Sequence, residues 1–215
     1  MRLDRVCISG RWIGDGFPCF VIAEAGVAHF GSIEKAIKLV DLAVASQADA
    51  VKFQIFDVDS LISREAQDWK DRLGSRCLTI VEFDYLKQYC LDSGIIFLAT
   101  PHDKYGLDAL RELDVAAFKI GSGERKNWSF LQEIARCGKP IIFSTGMYSI
   151  EDVRQALRIF EETGNDQIAM LHCTTMYPTP PSEVNLRTLL DYKREFGGVI
   201  GYSDHTEGFH IPLAA

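Results

Sequence analysis

The stretch "AAFKIGSGE", residues 116–124, decides the fold. It opens as an apolar run short enough for a buried strand and ends in Lys119, Ser122 and Glu124, with two glycines that permit a sharp strand-to-loop turn. Six other runs have the same build: "FVIAEAG" (20–26), "AVKFQIF" (50–56), "IIFLATPHD" (95–103), "PIIFSTGM" (140–147), "IAMLHCTT" (168–175) and "GVIGYSDHT" (198–206). Segments of helical periodicity separate them, with Ile33, Ala36, Ile37, Val40 and Val44 in the first and Leu186, Leu189, Leu190 and Phe196 in the sixth. Thr79-x-x-Glu82 and Ser149-x-x-Asp152 have the form of capping boxes ahead of such segments. The order is β-α repeated, which predicts a parallel sheet covered by helices, either doubly wound or closed as a barrel.

The ends of the runs choose between the two. Glu24, Lys52 and Gln54, Thr100 and His102, Lys119 and Ser122, Ser144 and Thr145, His172 and Thr174, and Ser203, Asp204 and His205 all lie at C-terminal strand ends. Contributions from all seven strands to one rim fit a TIM (β/α)8 barrel, whereas a doubly wound sheet gathers its ligand at one switch point. The reading is therefore a barrel over residues 20–215 with strands 1–7, strand 8 missing from the chain, and unpaired edges that point to a piece of a longer protein. Residues 1–19 are expected to form a hairpin with its turn near Gly14-Asp15-Gly16, capping the N-terminal end of the barrel.

Composition narrows the partners. A chain of 215 residues with 47% hydrophobic content can bury a sizeable core. Its 23 Lys+Arg against 30 Asp+Glu leave a net charge of −7 without a basic cluster, so no nucleic acid is expected as partner. No apolar run approaches the roughly 18 residues of a membrane span and no leader opens the chain, which predicts a soluble cytoplasmic protein with no membrane partner. Six cysteines without a CxxC suggest reduced thiols, not a zinc or disulfide scaffold.

Lys52 and Lys119 lie inside apolar strands, where a buried ammonium is costly without an anion. Each is read as a phosphate or carboxylate clamp, as a Schiff-base nucleophile, or as half of a structural ion pair with Glu24 or Glu124. Two lysines on one rim favour the clamp. Ser122 in its glycine turn, with Thr100, Ser144 and Thr145, supplies hydroxyls for an anionic oxygen. Glu24 and Glu124 are candidates for general acid–base work, and His205 for a metal ligand.

Taken in order, "FVIAEAGVAHFGS", "AVKFQIF", "FLATPHD", "FKIGSGE", "PIIFSTGM", "LHCTTMYPTPPSEVNL" and "GYSDHT" closely resemble the sialic acid synthase family, N-acetylneuraminate synthase with its legionaminate and pseudaminate relatives. The resemblance runs from about residue 5 to the C-terminus. It implies a TIM-barrel enzyme that condenses phosphoenolpyruvate with the open-chain aldehyde of an N-acylated amino sugar such as N-acetylmannosamine, aided by Mn2+ or Mg2+ acting as a Lewis acid. Carried over by position, Lys52, Thr100, Lys119, Ser122, Ser144 and Thr175 are expected to contact phosphoenolpyruvate, and Gln54 and Tyr177 the sugar. Glu24 and Glu124 become the acid–base or water-orienting carboxylates and His205 a metal ligand. The family's first loop usually carries Asn and a second polar residue where this chain reads "GVAHFG", with Ala28 and Phe30.

The resemblance also implies a homodimer and a C-terminal antifreeze-like domain that this chain lacks, together with the strand 8 metal histidine. Little synthase turnover is therefore expected of the chain alone. The competing readings are a Schiff-base lysine aldolase and a catalytically inactive barrel used for binding.

Overall fold

The computed structural model describes residues 3–215. Two compact units make up the chain, one of residues Phe20–Phe118 and one that joins Lys119–Ala215 to the segment ending at Cys19. The strands are β1 (Arg5–Ile8), β2 (Arg11–Gly14), β3 (Ile22–Gly26), β4 (Ala50–Ile55), β5 (Ile96–Pro101), β6 (Phe118–Ile120), β7 (Ile141–Ser144), β8 (Ile168–Cys173) and β9 (Val199–Ser203). The helices are α1 (Ile33–Ala45), α2 (Val58–Leu61), α3 (Gln67–Gly74), α4 (Ile80–Asp92), α5 (Lys104–Glu112), α6 (Trp128–Ala135), α7 (Ile150–Glu162), α8 (Thr188–Phe196) and α9 (His210–Ala214). Strands β3 to β9 each fall inside one of the seven apolar runs, and within each unit the strands that pair are consecutive in the chain. Neither unit contains the reversal of strand order that makes the switch point of a doubly wound sheet.

In the 20–118 unit, β3, β4 and β5 pair in parallel, with Ala50 abreast of both Ile22 and Ile96. Alternation sends Val51, Phe53 and Ile55 to one side and Lys52 and Gln54 to the other. The first side is dry. Phe53 stacks on Phe97 at 5.8 Å between ring centroids, and Phe83 of α4 meets both rings edge-on at 6.4 Å. Helix α1 buries Ala36, Val40 and Ala43, whereas Val44, which the periodicity places on the same stripe, is exposed. Two helices that the sequence reading does not anticipate, α2 and α3, fill the connection between β4 and α4.

Both capping boxes form. Ser149 and Asp152 close the start of α7, with the Ser149 hydroxyl accepting the Asp152 N–H at 3.2 Å. At α4 the Thr79 hydroxyl accepts the Glu82 N–H at 3.3 Å, while the Glu82 carboxylate accepts the Thr79 N–H at 2.7 Å. Thr79→Ala removes one arm of this reciprocal pair and is expected to lower unfolding free energy by about 1 kcal/mol in urea titration. A loss below about 0.3 kcal/mol, the effect of an ordinary surface change, would show that the cap is redundant.

In the other unit, β7, β8 and β9 continue the parallel pattern, with Ser144 abreast of Leu171 and Leu171 abreast of Gly201. Phe143 packs edge-on against Phe160 of α7 at 5.5 Å. Helix α8 turns Tyr192 inward while Leu190 is exposed, so the apolar spacing misplaces its buried face. The Tyr192 ring fills that role because its hydroxyl finds Thr145 Oγ1 at 3.1 Å.

Strands β1 and β2 form the expected antiparallel hairpin, but its turn lies elsewhere. Ile8 pairs with Arg11, so Ser9 and Gly10 alone connect the strands, with φ of 50° and 82°. Positive φ at both central positions suits the right-handed twist of a two-residue hairpin. The turn at Gly14-Asp15-Gly16 exists, closed by Phe17 N–H on Gly14 O at 3.1 Å, but it follows the hairpin. Gly14 belongs to β2 opposite Arg5, where a Cβ would stand 2.2 Å from Asp4 O. Beyond it, Asp15 pairs with Lys193 of α8 at 2.8 Å. Among the described residues no helix is long and apolar enough to cross a membrane, and none of the six cysteines forms a disulfide.

Candidate active site

Register builds the first group of side chains. Glu24 stands abreast of Lys52 and Gln54 abreast of Thr100. In a parallel pair such neighbours share a face, as do residues two apart along a strand, so all four project from the side opposite Phe53. Lys52, only 6% exposed, has its ammonium 2.5 Å from Glu24 Oε2 and donates to Thr100 Oγ1 at 3.3 Å. Thus the ion pair considered for Lys52 on the sequence alone is present. Gly26, at a register shift and with φ of 53°, leaves room for it: a Cβ would lie 3.1 Å from Glu24 Oε1 and 3.7 Å from Gln54 Nε2.

The second group lies in the 119–215 unit. Lys119, also 6% exposed, donates to Ser144 Oγ at 2.6 Å and to Ile120 O at 3.0 Å. Ser122 opens the single helical turn after β6 and accepts the Gly146 N–H at 2.9 Å. Gly146 itself fits because it has no side chain, since a Cβ would meet Thr175 Oγ1 at 2.5 Å and both Cys173 O and Sγ at 3.0 Å. Lys119 and Ser144 therefore meet directly, and Ser122 and Thr175 meet around Gly146. Glu124 is buried two residues beyond Ser122 and accepts from Asn127 Nδ2 at 2.9 Å.

His205 is held on several sides. Its Nδ1 lies 2.8 Å from the Thr174 carbonyl and 3.8 Å from Cys173 Sγ, and the Tyr177 ring covers the imidazole at 4.1 Å. Thr179 N–H fixes the His205 carbonyl at 2.8 Å, just after the cis Tyr177–Pro178 bond. The Cys173 contact, strengthened by the Thr174 carbonyl and opposed by burial, raises the His205 pKa. Burial would raise the Cys173 thiol in turn, but His205, with Ser122 and Ser203, brings it below the ordinary thiol range.

Several strand-end residues are placed elsewhere. His172 faces the helix side of β8, where Nε2 is 2.6 Å from Val184 O and the ring packs against Tyr192 and Tyr202. Asp204 is spent on its own turn, accepting from Tyr202 Oη at 2.9 Å and Thr206 N–H at 3.0 Å. Thr145 donates to Leu171 O at 3.0 Å. Cys173 is the residue that sequence reading missed. The signal available was alternation in "LHCTT", which puts Cys173 on the face opposite His172.

His205 suits a metal in one respect. With Nδ1 engaged by a carbonyl, Nε2 is the nitrogen left to coordinate, an orientation that metal-binding histidines commonly share. Among the described residues no three His, Cys, Asp or Glu side chains are grouped so as to hold an ion, so His205 fits as a single ligand.

The chain is 40% identical over 210 residues to the N,N'-diacetyllegionaminic acid synthase of Campylobacter jejuni, a match spanning 91% of the chain and 63% of that protein. It is 34% identical over 228 residues to the N-acetylneuraminate-9-phosphate synthase of Homo sapiens, covering all of the chain and 63% of that enzyme. The chain thus spans less than two thirds of the length of these relatives. In structure it matches the N-acetylneuraminic acid synthetase of Leptospira borgpetersenii with a TM-score of 0.94 at 31% identity, over 99% of the chain and 74% of that enzyme. The model of the NeuB family matches residues 39–215, and the chain belongs to that family.

Proposed function

We propose that this chain carries the phosphoenolpyruvate-condensing part of a nonulosonic acid synthase built on a TIM (β/α)8 barrel. The observation that carries the reading is the pair of strand-end lysines, each 6% exposed and each with a hydroxyl on its ammonium. Such an ammonium is a fixed and poorly screened cation, and an anionic oxygen can add to the partners that already hold it, Glu24 and Thr100 on Lys52 and Ser144 on Lys119. Phosphoenolpyruvate offers both a phosphate and a carboxylate. Lys52 with Thr100, and Lys119 with Ser144, Ser122 and Thr175, are the groups proposed to bind them.

In the reaction, C3 of phosphoenolpyruvate forms a bond to the aldehyde carbon of an N-acylated amino sugar, whose oxygen takes up a proton. Water adds to the cationic C2 and loses a proton, the C2–O bond to phosphate breaks, and a keto group and inorganic phosphate result. Glu124, buried and oriented by Asn127, is proposed to hold that water, while Glu24 positions Lys52 through their ion pair. Gln54 and Tyr177 are proposed to contact the sugar. A divalent ion, Mn2+ or Mg2+, would polarise the aldehyde oxygen as a Lewis acid, with His205 among its ligands. The named relatives make products both with and without a phosphate, so the acceptor can be of either kind.

Calorimetric titration of the chain with phosphoenolpyruvate, and separately borohydride treatment in the presence of pyruvate followed by mass measurement, test the reading. Reversible binding and no mass increment are expected. Failure to bind overturns it, and a pyruvate adduct on Lys52 or Lys119 assigns the aldolase chemistry instead.

A further inference from the structure

The loop from β3 to α1 holds a feature that the proposed reaction has not used. Phe30 has a left-handed backbone, φ 51°, and the residue is 55% exposed. A bulky residue adopts that conformation at a cost on the order of 1 kcal/mol or more, which calls for a compensating role. The loop is fastened. His29 is buried and its Nδ1 accepts the Gly31 N–H at 3.1 Å. Gly31, with φ of 73°, lies so close to the chain after α3 that a Cβ would stand 2.5 Å from Ser75 O.

Two cations gather on the ring presented in this way. The Arg76 guanidinium carbon is 4.7 Å from the Phe30 centroid and Lys35 Nζ is 5.4 Å from it. Among the described residues neither forms an ion pair, in a chain whose net charge is −7. Lys35 sits in the first turn of α1 and Arg76 in the connection to α4. Lys35 thus follows β3, which carries Glu24, across one loop, and Arg76 lies in the connection that leaves the C-terminal end of β4, which carries Gln54, after α2 and α3.

We propose that Arg76 and Lys35, set on the Phe30 ring, form an anion subsite for a phosphate monoester carried by the acceptor sugar at the end away from its aldehyde. The proposal rests on the synthase reading above. A phosphate monoester carries nearly two negative charges at neutral pH and three acceptor oxygens, which matches a guanidinium fork plus an ammonium. A neutral sugar would leave both cations without use. Phe30 supplies an apolar face for the sugar's carbon chain, where the family's first loop usually has polar residues.

The test is calorimetric titration of the chain with N-acetylmannosamine and with N-acetylmannosamine 6-phosphate, before and after Arg76→Gln and Lys35→Gln, with phosphoenolpyruvate titrated into the parent chain. The phosphorylated sugar is expected to bind about tenfold or more tightly than the neutral one, as a charge-assisted contact allows. Arg76→Gln is expected to reduce that preference to about twofold, Lys35→Gln to reduce it less, and added salt to erode it. An equal affinity for both sugars in the parent chain, or a preference that survives both substitutions, overturns the subsite. If phosphoenolpyruvate and the neutral sugar bind while the ester gains nothing, the subsite alone is wrong. If phosphoenolpyruvate and both sugars all fail to bind, the synthase reading falls and the subsite with it.

Discussion

Lys119→Met is expected to weaken phosphoenolpyruvate binding on the order of 100-fold while leaving the chain's unfolding midpoint in place. The magnitude follows from position. The ammonium is 6% exposed and fixed by Ser144 Oγ and Ile120 O, so an arriving phosphate or carboxylate meets a charge already oriented and poorly screened by water. Charge-assisted hydrogen bonds are worth about 1.5–3 kcal/mol, and two such bonds lost together reach or exceed the factor expected. Methionine keeps the length and apolar stem of the lysine, and removing the charge also removes its desolvation cost. Ser144 retains its place on β7 by register with Leu171, not through the lysine. Binding measured by calorimetry and stability by urea titration therefore separate. A fall in stability as large as the fall in affinity would mean that Lys119 holds the strand end together and that the binding loss is secondary.

How much of this was legible in the sequence depends on which interaction sets each feature. Strands β3 to β9 could be read because a parallel strand covered by helices needs an apolar run, and the capping boxes because their geometry is local. Lys52 and Lys119 stood out because nothing in a buried strand otherwise calls for a lysine. Face assignment is different, since one residue of register moves a side chain from the site to the helix layer. Hence His172 and Cys173, adjacent on β8, go opposite ways: His172 to Val184 O, Cys173 to His205. The hairpin turn was misplaced because Gly14-Asp15-Gly16 is a good turn sequence, and Ser9 takes a left-handed backbone that serine seldom announces. Tyr192 replaces Leu190 in the core through a hydroxyl contact to Thr145, a long-range partner that helical periodicity cannot see.

The second large effect falls on the fold beneath the site. Phe53→Ala is expected to cost about 3–5 kcal/mol of unfolding free energy, a large share of the 5–15 kcal/mol typical of a whole domain. Phe53 is fully buried, and it ties β4 to β5 through Phe97 and to α4 through Phe83. An alanine leaves a void that two rings on different elements would have to fill by moving toward each other, and the hydrogen-bonded register of β4 with β5 opposes that movement. Phe53→Leu, which fills more of the same space, should cost markedly less. Urea titrations of both variants check this, with the denaturant slope unchanged if only the native packing is altered. The consequence reaches the other side of the strand. Lys52 and Gln54 flank Phe53, and their direction follows from the pleat that Phe53 anchors. Under conditions where Phe53→Ala is still folded, phosphoenolpyruvate affinity should fall as well, although residue 53 lies on the face opposite Lys52. An alanine variant that loses less than about 1 kcal/mol, the cost of a mild core change, would mean the aromatic layer is redundant and that β3–β4 pairing alone aims Lys52 at its ligand.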